Sequence, residues 1–258
     1  PGAALAYYGA GLPLFAAVLL VQRGRGVSMD VAVIQALCSV FSNTAMLGIP
    51  LVRLAFGEAG LAFLLTIIAL HALTFLTLGT FLIELSGGGS VGGAAGATRS
   101  GLARQIGLVV RNSLIHPVVL PILAGLAWSA AGWSLPRPIE VPLSMLAAAA
   151  APLCLVLLGA SLAQFDLRRG LAGAAALTGL KSLVHPLLVY LLGRFVLDLP
   201  PLPLTVATLT ASLPIGANVY LFAQRYRASA EATSAGVALS TLAAAVSLPL
   251  LLILLPGR

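Results

Sequence analysis

Eight stretches of this chain are apolar for long enough to cross a lipid bilayer as helices, and that property excludes most folds. They run approximately from Ala4 to Val21, Val31 to Phe56, Leu61 to Leu85, Ser113 to Trp133, Val141 to Leu162, Leu171 to Val196, Leu202 to Gln224 and Ala232 to Leu255. About 20 residues of helix cover the hydrocarbon core of a bilayer, so 258 residues hold about eight spans with short connections. A transmembrane barrel would show short segments of alternating polarity instead of continuous runs. Composition agrees, with 60% hydrophobic and 8% charged residues, far outside the range of soluble domains. The expected fold class is an all-α polytopic membrane protein of about eight transmembrane helices.

Two of these runs are interrupted in corresponding places. Ser42-Asn43-Thr44-Ala45-Met46-Leu47-Gly48-Ile49-Pro50 and Ser212-Leu213-Pro214-Ile215-Gly216-Ala217-Asn218 put Asn, Gly and Pro where lipid demands unbroken apolar helix. Proline lacks an amide donor and frees a carbonyl one turn back, which is Met46 for Pro50 and Thr210 for Pro214. Freed backbone polarity at membrane depth survives only against protein or a wet cavity. Matched interruptions in two halves of a membrane chain point to a transporter's binding site.

The Lys and Arg residues report topology more than an anionic partner. Connections after the first, third, fifth and seventh runs carry Arg23 and Arg25; Arg99, Arg104 and Arg111; Arg168 and Arg169; and Arg225 and Arg227. The opposite connections and the C-terminus carry only Arg53, Arg137, Arg194 and Arg258. By the positive-inside rule the first set is cytoplasmic, which places both ends of the chain outside. The two interrupted helices then run in opposite directions, as an inverted repeat requires. Ser86 to Gln105, with Gly87-Gly88-Gly89 and Gly92-Gly93, reads as a flexible cytoplasmic linker. The expected organisation is residues 1–85 as a partial first repeat of three helices, 86–105 as linker and 106–258 as a second repeat of five helices. Pro1-Gly2, without an initiator Met or a signal peptide, reads as the start of a fragment or processed product. Cys38 and Cys154 fall inside separate runs, without metal-ligand or redox spacing, and read as packing residues.

Phe41-Ser42-Asn43-Thr44 leading into Gly48-Ile49-Pro50-Leu51, then Phe56-Gly57-Glu58-Ala59-Gly60, resembles the fourth helix of the auxin efflux carrier family and its bacterial relatives. Further matches follow in order: Arg111-Asn112, Leu158-Gly159-Ala160-Ser161-Leu162, Lys181 with His185-Pro186, then Ser212-Leu213-Pro214 with Asn218 and Ala223-Gln224-Arg225-Tyr226. The resemblance covers essentially the whole chain, from the family's third helix to its tenth, and lacks the first two. It implies an inverted-repeat transporter fold, related to that of the bile-acid symporters, in which the two broken helices cross near their prolines beside the substrate. It also implies a homodimer in a bacterial cytoplasmic membrane.

Read from the residues, Asn43 lies about two turns before Pro50 and Asn218 one turn after Pro214, so both amides sit beside broken backbone. An amide both donates and accepts, which suits a carboxylate but equally suits interhelical bonding. Gly48, Pro50, Pro214 and Gly216 would shape the same site. Lys181 is the only lysine, and an intramembrane charge costs about 2.5–3.5 kcal/mol on insertion scales. It is a candidate counter-charge for an anion, unless it snorkels to the cytoplasmic boundary. Thr178, Lys181 and His185 share one helix face at i, i+3 and i+7, which makes His185 a candidate proton relay. His71 and His116 carry a weaker signal, and the spacing groups none of the three histidines. Acidic residues lie at run ends or in connections, so a carboxylate-based ion site has no visible ligand.

No metal cluster, phosphate-binding glycine motif or nucleophile elbow occurs, and the expectation is a chain that is not an enzyme and uses no cofactor, with proton or sodium coupling left open. The function expected is a secondary transporter, an efflux carrier moving a small organic anion such as a mono- or dicarboxylate by alternating access, with lipid and no nucleic acid as its surroundings. A sodium-coupled symporter of bile-acid type and a non-transporting membrane sensor or scaffold are the competing readings.

Overall fold

The computed structural model of the chain describes residues 2–86, 119–162 and 171–255. Helix occupies the described part of every apolar run except for two short breaks. In chain order the helices are α1 (Gly2–Gly24), α2 (Met29–Val40), α3 (Ile49–Leu85), α4 (Val119–Ala130), α5 (Arg137–Leu162), α6 (Leu171–Val196), α7 (Pro201–Ser212), α8 (Ala217–Arg225) and α9 (Ala230–Leu254). Among the described residues there is no strand, only an isolated antiparallel bridge between Ser42 and Ile215. Four stretches, Gly2–Gly24, Thr44–Ile83, Leu171–Val196 and Ala230–Leu254, are each long and apolar enough to cross a membrane. The second of these contains two limbs, because Gly57 (φ 62°, ψ −156°) leaves helical geometry and redirects the chain. A side chain would be strained at that φ, so glycine is required there. The expected linker at 86–105, apart from Ser86, lies outside the described residues, as do His116, Arg111-Asn112 and the arginines Arg99, Arg104, Arg168 and Arg169 that are expected on the cytoplasmic side.

Helices α2 and α7 each contain 12 residues, a length of about 18 Å, or roughly half the bilayer thickness. Each ends at a break and resumes on the far side: Thr44 to Phe56 after the first break, and α8 after the second. Proline chemistry explains part of this pattern, though not as the sequence alone indicates. Pro50 lies within the restarted helix and not at the break itself. The turn before it, Thr44–Gly48, widens to π geometry, with the Gly48 amide donating to the Asn43 carbonyl at 3.1 Å. A second π turn, Leu180–Val184, similarly precedes Pro186 within α6. A missing amide lets the preceding turn slip to i→i−5 bonding without unravelling the helix. The non-helical residues of the first break are Phe41 to Asn43, seven residues before Pro50 at their near end, whereas Pro214 lies inside its break. Nor is Thr210 left bare, because its carbonyl accepts from the Leu213 amide at 3.4 Å.

Two buried apolar cores flank the breaks. One is built from α1, α2, α6 and α8 around Tyr7, Ile34, Leu37, Phe41 and Phe75 of α3. The other joins Val52, Leu64 and Ile68 of α3 to Val206 and Leu209 of α7 and to Leu248 of α9. α4 and α5 pack on α3, and their described side chains are largely exposed. Trp128 and Trp133 meet edge to face at 5.0 Å there. In a bilayer such an apolar outer face is solvated by lipid.

Candidate functional site

The two breaks are bonded to each other. The Asn43 amide donates to the Pro214 carbonyl at 2.9 Å, and the Gly216 amide donates to the Phe41 carbonyl at 3.0 Å, on either side of the Ser42–Ile215 bridge. Their approach is close because both flanks are glycine. A Cβ at Gly48 would lie 2.8 Å from Leu213 Cδ1, and one at Gly216 would lie 2.8 Å from Phe41 Cδ1 and 3.2 Å from the Ser42 carbonyl oxygen.

The polar groups exposed by each break are then met by side chains from the preceding and following helices, in the same arrangement twice. Before the first break, Tyr7 of α1 donates to the Val40 carbonyl at 2.9 Å and shares a 2.9 Å bond with Ser42 Oγ. Before the second, Lys181 of α6 donates to the Ala211 carbonyl. The bridge amides follow suit: Ser42 N–H donates to His71 Nε2 of α3 at 3.2 Å, and Ile215 N–H donates to Ser240 Oγ of α9 at 3.1 Å. Buried backbone donors and acceptors at membrane depth are costly when unpaired. Four side chains from four helices therefore make the pair of breaks tenable.

Beside the bridge lies a cavity of about 160 Å³, lined by Asn43, Thr44 and Ala45 on one side, Gly216, Ala217 and Asn218 on the other, and by His71 and neighbouring apolar residues. Roughly 10–15 Å³ admits one water, so this space takes a small solute. Both helix restarts, at Thr44 and at Ala217, contribute to its wall, and neither has a side-chain cap. The first amides of a helix carry partial positive charge and unsatisfied donors, which favours an anion. Asn43 is buried, and its Nδ2 has no partner among the described residues. His71 accepts at Nε2, which places the proton of the neutral ring on Nδ1, also without a partner. Two helix N-termini thus meet in the cavity wall, and two of its lining residues, Asn43 and His71, each carry a buried N–H donor without a protein partner.

Of the residues singled out from sequence, Asn43, Gly216 and Asn218 line this cavity, with Asn218 at its exposed side. Gly48 and Pro214 form the crossing behind it, and Pro50 lies on the restarted helix. Lys181 and His185 do not line it. They face a buried cluster on the other side of the bridge, where the Tyr7 ring stands 5.6 Å from His71 and 5.0 Å from His185, edge to face. Tyr7 and Ser240 are site residues that spacing did not reveal, and His71 carried only a weak signal. Each is remote in sequence from the break that it supports, and only the unsatisfied backbone of the bridge gives it a role. His71 is held in place by stacking on Phe41 at 4.1 Å.

Residues 5–252 match the family described as Membrane transport protein. A protein of Rhizobium meliloti (strain 1021), whose name proposes it as a malonate transporter, is 29% identical over 89% of this chain and 68% of its own length. An uncharacterized transporter of Methanothermobacter thermautotrophicus is 27% identical over 90% of this chain and 70% of its own. Auxin efflux carrier component 8 of Arabidopsis thaliana is 24% identical over 83% of this chain and 68% of its own. With a family match over nearly its full length, and with apolar helices to suit, the chain belongs to the membrane transport protein family that its resemblance to auxin efflux carriers implies.

Proposed function

We propose that this protein is a secondary transporter that carries a small organic anion, a mono- or dicarboxylate with malonate as the first candidate, across a bacterial cytoplasmic membrane. The observation that carries the reading is the convergence of the Thr44 and Ala217 helix starts, the Asn43 amide and His71 on one cavity between two bonded breaks. The name of the Rhizobium relative supports malonate among dicarboxylates. The paired caps, Tyr7 with His71 and Lys181 with Ser240, support an inverted repeat about the Ser42–Ile215 bridge.

Transport would proceed by alternating access. The anion binds at the helix N-termini, and the helices around the crossing rock so that the cavity opens first to one side and then to the other. Its recognition needs neither a cofactor nor a metal. A homodimer remains the expected assembly, and export the expected direction. The test is binding and flux with the purified chain: malonate raises the Tm by mass action, and labelled malonate enters protein-containing vesicles faster than empty ones. Absence of both effects for malonate and for a panel of other mono- and dicarboxylates would refute the anion reading.

A further inference from the structure

Lys181 is fully buried, and its ammonium is spent on neither the cavity nor a carboxylate: among the described residues its hydrogen-bond partner is the Ala211 carbonyl, and no acidic group pairs with it. That carbonyl belongs to the last turn of α7, the negative end of a half-helix. The break thus presents positive helix ends to the cavity and a negative helix end to a cation held by the protein itself. The groups around Lys181 carry no compensating charge. His71 of α3 and His185 of α6 lie within its electrostatic range, and Tyr7 of α1 packs against both rings. α2 contributes Cys38, bonded to Thr233, and Asp30 in its first turn; α9 has only Glu231, in its first turn; α7 has no titratable residue. Further along α6 are Tyr190 and Arg194, the latter paired with Asp198 at 3.2 Å.

Thr178 Oγ1 and Ser182 Oγ, on either side of Lys181 along α6, are buried with no hydrogen-bond partner among the described residues. The same helix, through Leu177 and Leu180, lines a second cavity of about 550 Å³ whose polar wall is Gln22, Arg25 and Gln35. This cavity reaches α6 within one turn of Lys181.

We propose that Lys181 is the proton site that couples transport, so that one proton moves with each anion. This rests on the anion-carrier reading above. In the loaded state the ammonium holds the α7 carboxyl end while the anion occupies the cavity across the bridge. On release, one N–H bond of the ammonium breaks, its proton passes to water as hydronium, and the neutral amine remains. An anion and a proton that attract one another across the bridge raise each other's affinity by the same factor. With only the empty and the doubly loaded carrier reorienting, proton and anion cross together, in whichever direction their combined gradient points.

Because Lys181 is the only lysine, protein labelled with lysine carrying carbon-13 at Cε gives one side-chain signal that reads its protonation. The expected result is a signal that moves with pH while the protein stays folded, and that malonate at fixed pH moves toward the ammonium position. A signal unresponsive to pH overturns the proposal, whether or not malonate binds. In vesicles at clamped voltage, a pH difference of about one unit should accumulate malonate up to about tenfold for one proton per anion. Lys181→Gln, which keeps a donor for the Ala211 carbonyl, should bring malonate only to equal concentrations. Accumulation that persists in Lys181→Gln, or wild-type malonate flux that carries no protons, overturns the proposal and leaves the carrier reading standing. Failure of malonate to bind or move refutes malonate as the anion, and the pH response of the lysine signal still decides the proton site.

Discussion

Gly216→Ala puts one methyl group into the tightest contact of the crossing. The φ of −69° at this position suits any residue, so the cost is steric rather than conformational. The new Cβ would lie 2.8 Å and 3.1 Å from two carbons of the Phe41 ring and 3.2 Å from the Ser42 carbonyl oxygen. The ring cannot swing aside freely, because it also packs against the His71 ring, with centroids 4.1 Å apart. Overpacking of this kind costs about 1–3 kcal/mol. If the strands of the bridge part instead, the bonds Gly216 N–H to Phe41 O and Asn43 N–H to Pro214 O weaken, at about 0.5–1.5 kcal/mol each. Either route gives a loss of about 1–3 kcal/mol, and a drop in Tm of about 2–4 °C per kcal/mol for a chain of this size. The assay is thermal unfolding in detergent or nanodiscs, together with malonate affinity, since Gly216 also lines the cavity. Gly125→Ala is the control. Nothing lies within 4 Å of its added Cβ, so it should be neutral or slightly stabilising in the α4 helix. A Gly216→Ala protein with wild-type Tm and wild-type affinity would refute the bonded crossing.

Asn43→Ala removes a buried amide whose Nδ2 has no protein partner. It should weaken malonate by about 10–100-fold, the equivalent of about 1.5–3 kcal/mol for a hydrogen bond to a charged group, while Tm is unchanged or higher. Tyr7→Phe strips the Val40 carbonyl and the Ser42 hydroxyl of their partner; unfolding measurements should show a loss of about 1–3 kcal/mol. Ser240→Ala orphans the Ile215 amide and should cost a similar amount of stability with little change in malonate affinity. His71→Phe should lower both, because His71 accepts from Ser42 and also faces the cavity. Equal losses of affinity in Ser240→Ala and His71→Phe would contradict the separate roles assigned to them.

The sequence announced the two breaks because few residues tolerate them: Asn, Gly and Pro inside an apolar run have little other use in lipid. Asn43 and Asn218 were legible for that reason, and so were Gly48 and Gly216. The register of the breaks was not. A proline marks a missing donor, yet Pro50 sits inside the restarted helix behind a π turn, and the break is set instead by pairing of Ser42 with Ile215. That pairing joins residues far apart in the chain, and no local pattern encodes it. Lys181 was visible as a costly intramembrane charge. Helical spacing placed it on a face with His185 but could not show that this face meets α7 and α1 rather than the cavity. Tyr7 and Ser240 gave no signal, since a tyrosine or serine in a span reads as ordinary packing until an orphaned backbone group beside it is seen.

The account turns on the cavity between the breaks being where the carboxylate sits. The direct measurement is protection of a cysteine placed in its wall: Ala217→Cys, in a chain whose Cys38 and Cys154 are replaced by alanine, reacted with a membrane-permeant thiol reagent with and without malonate. Ala217 belongs to the lining and is partly accessible, so the account predicts that saturating malonate slows modification, and that Asn43→Ala removes the protection. Malonate that binds, as shown by a raised Tm, yet leaves the modification rate unchanged would place the anion elsewhere and contradict it.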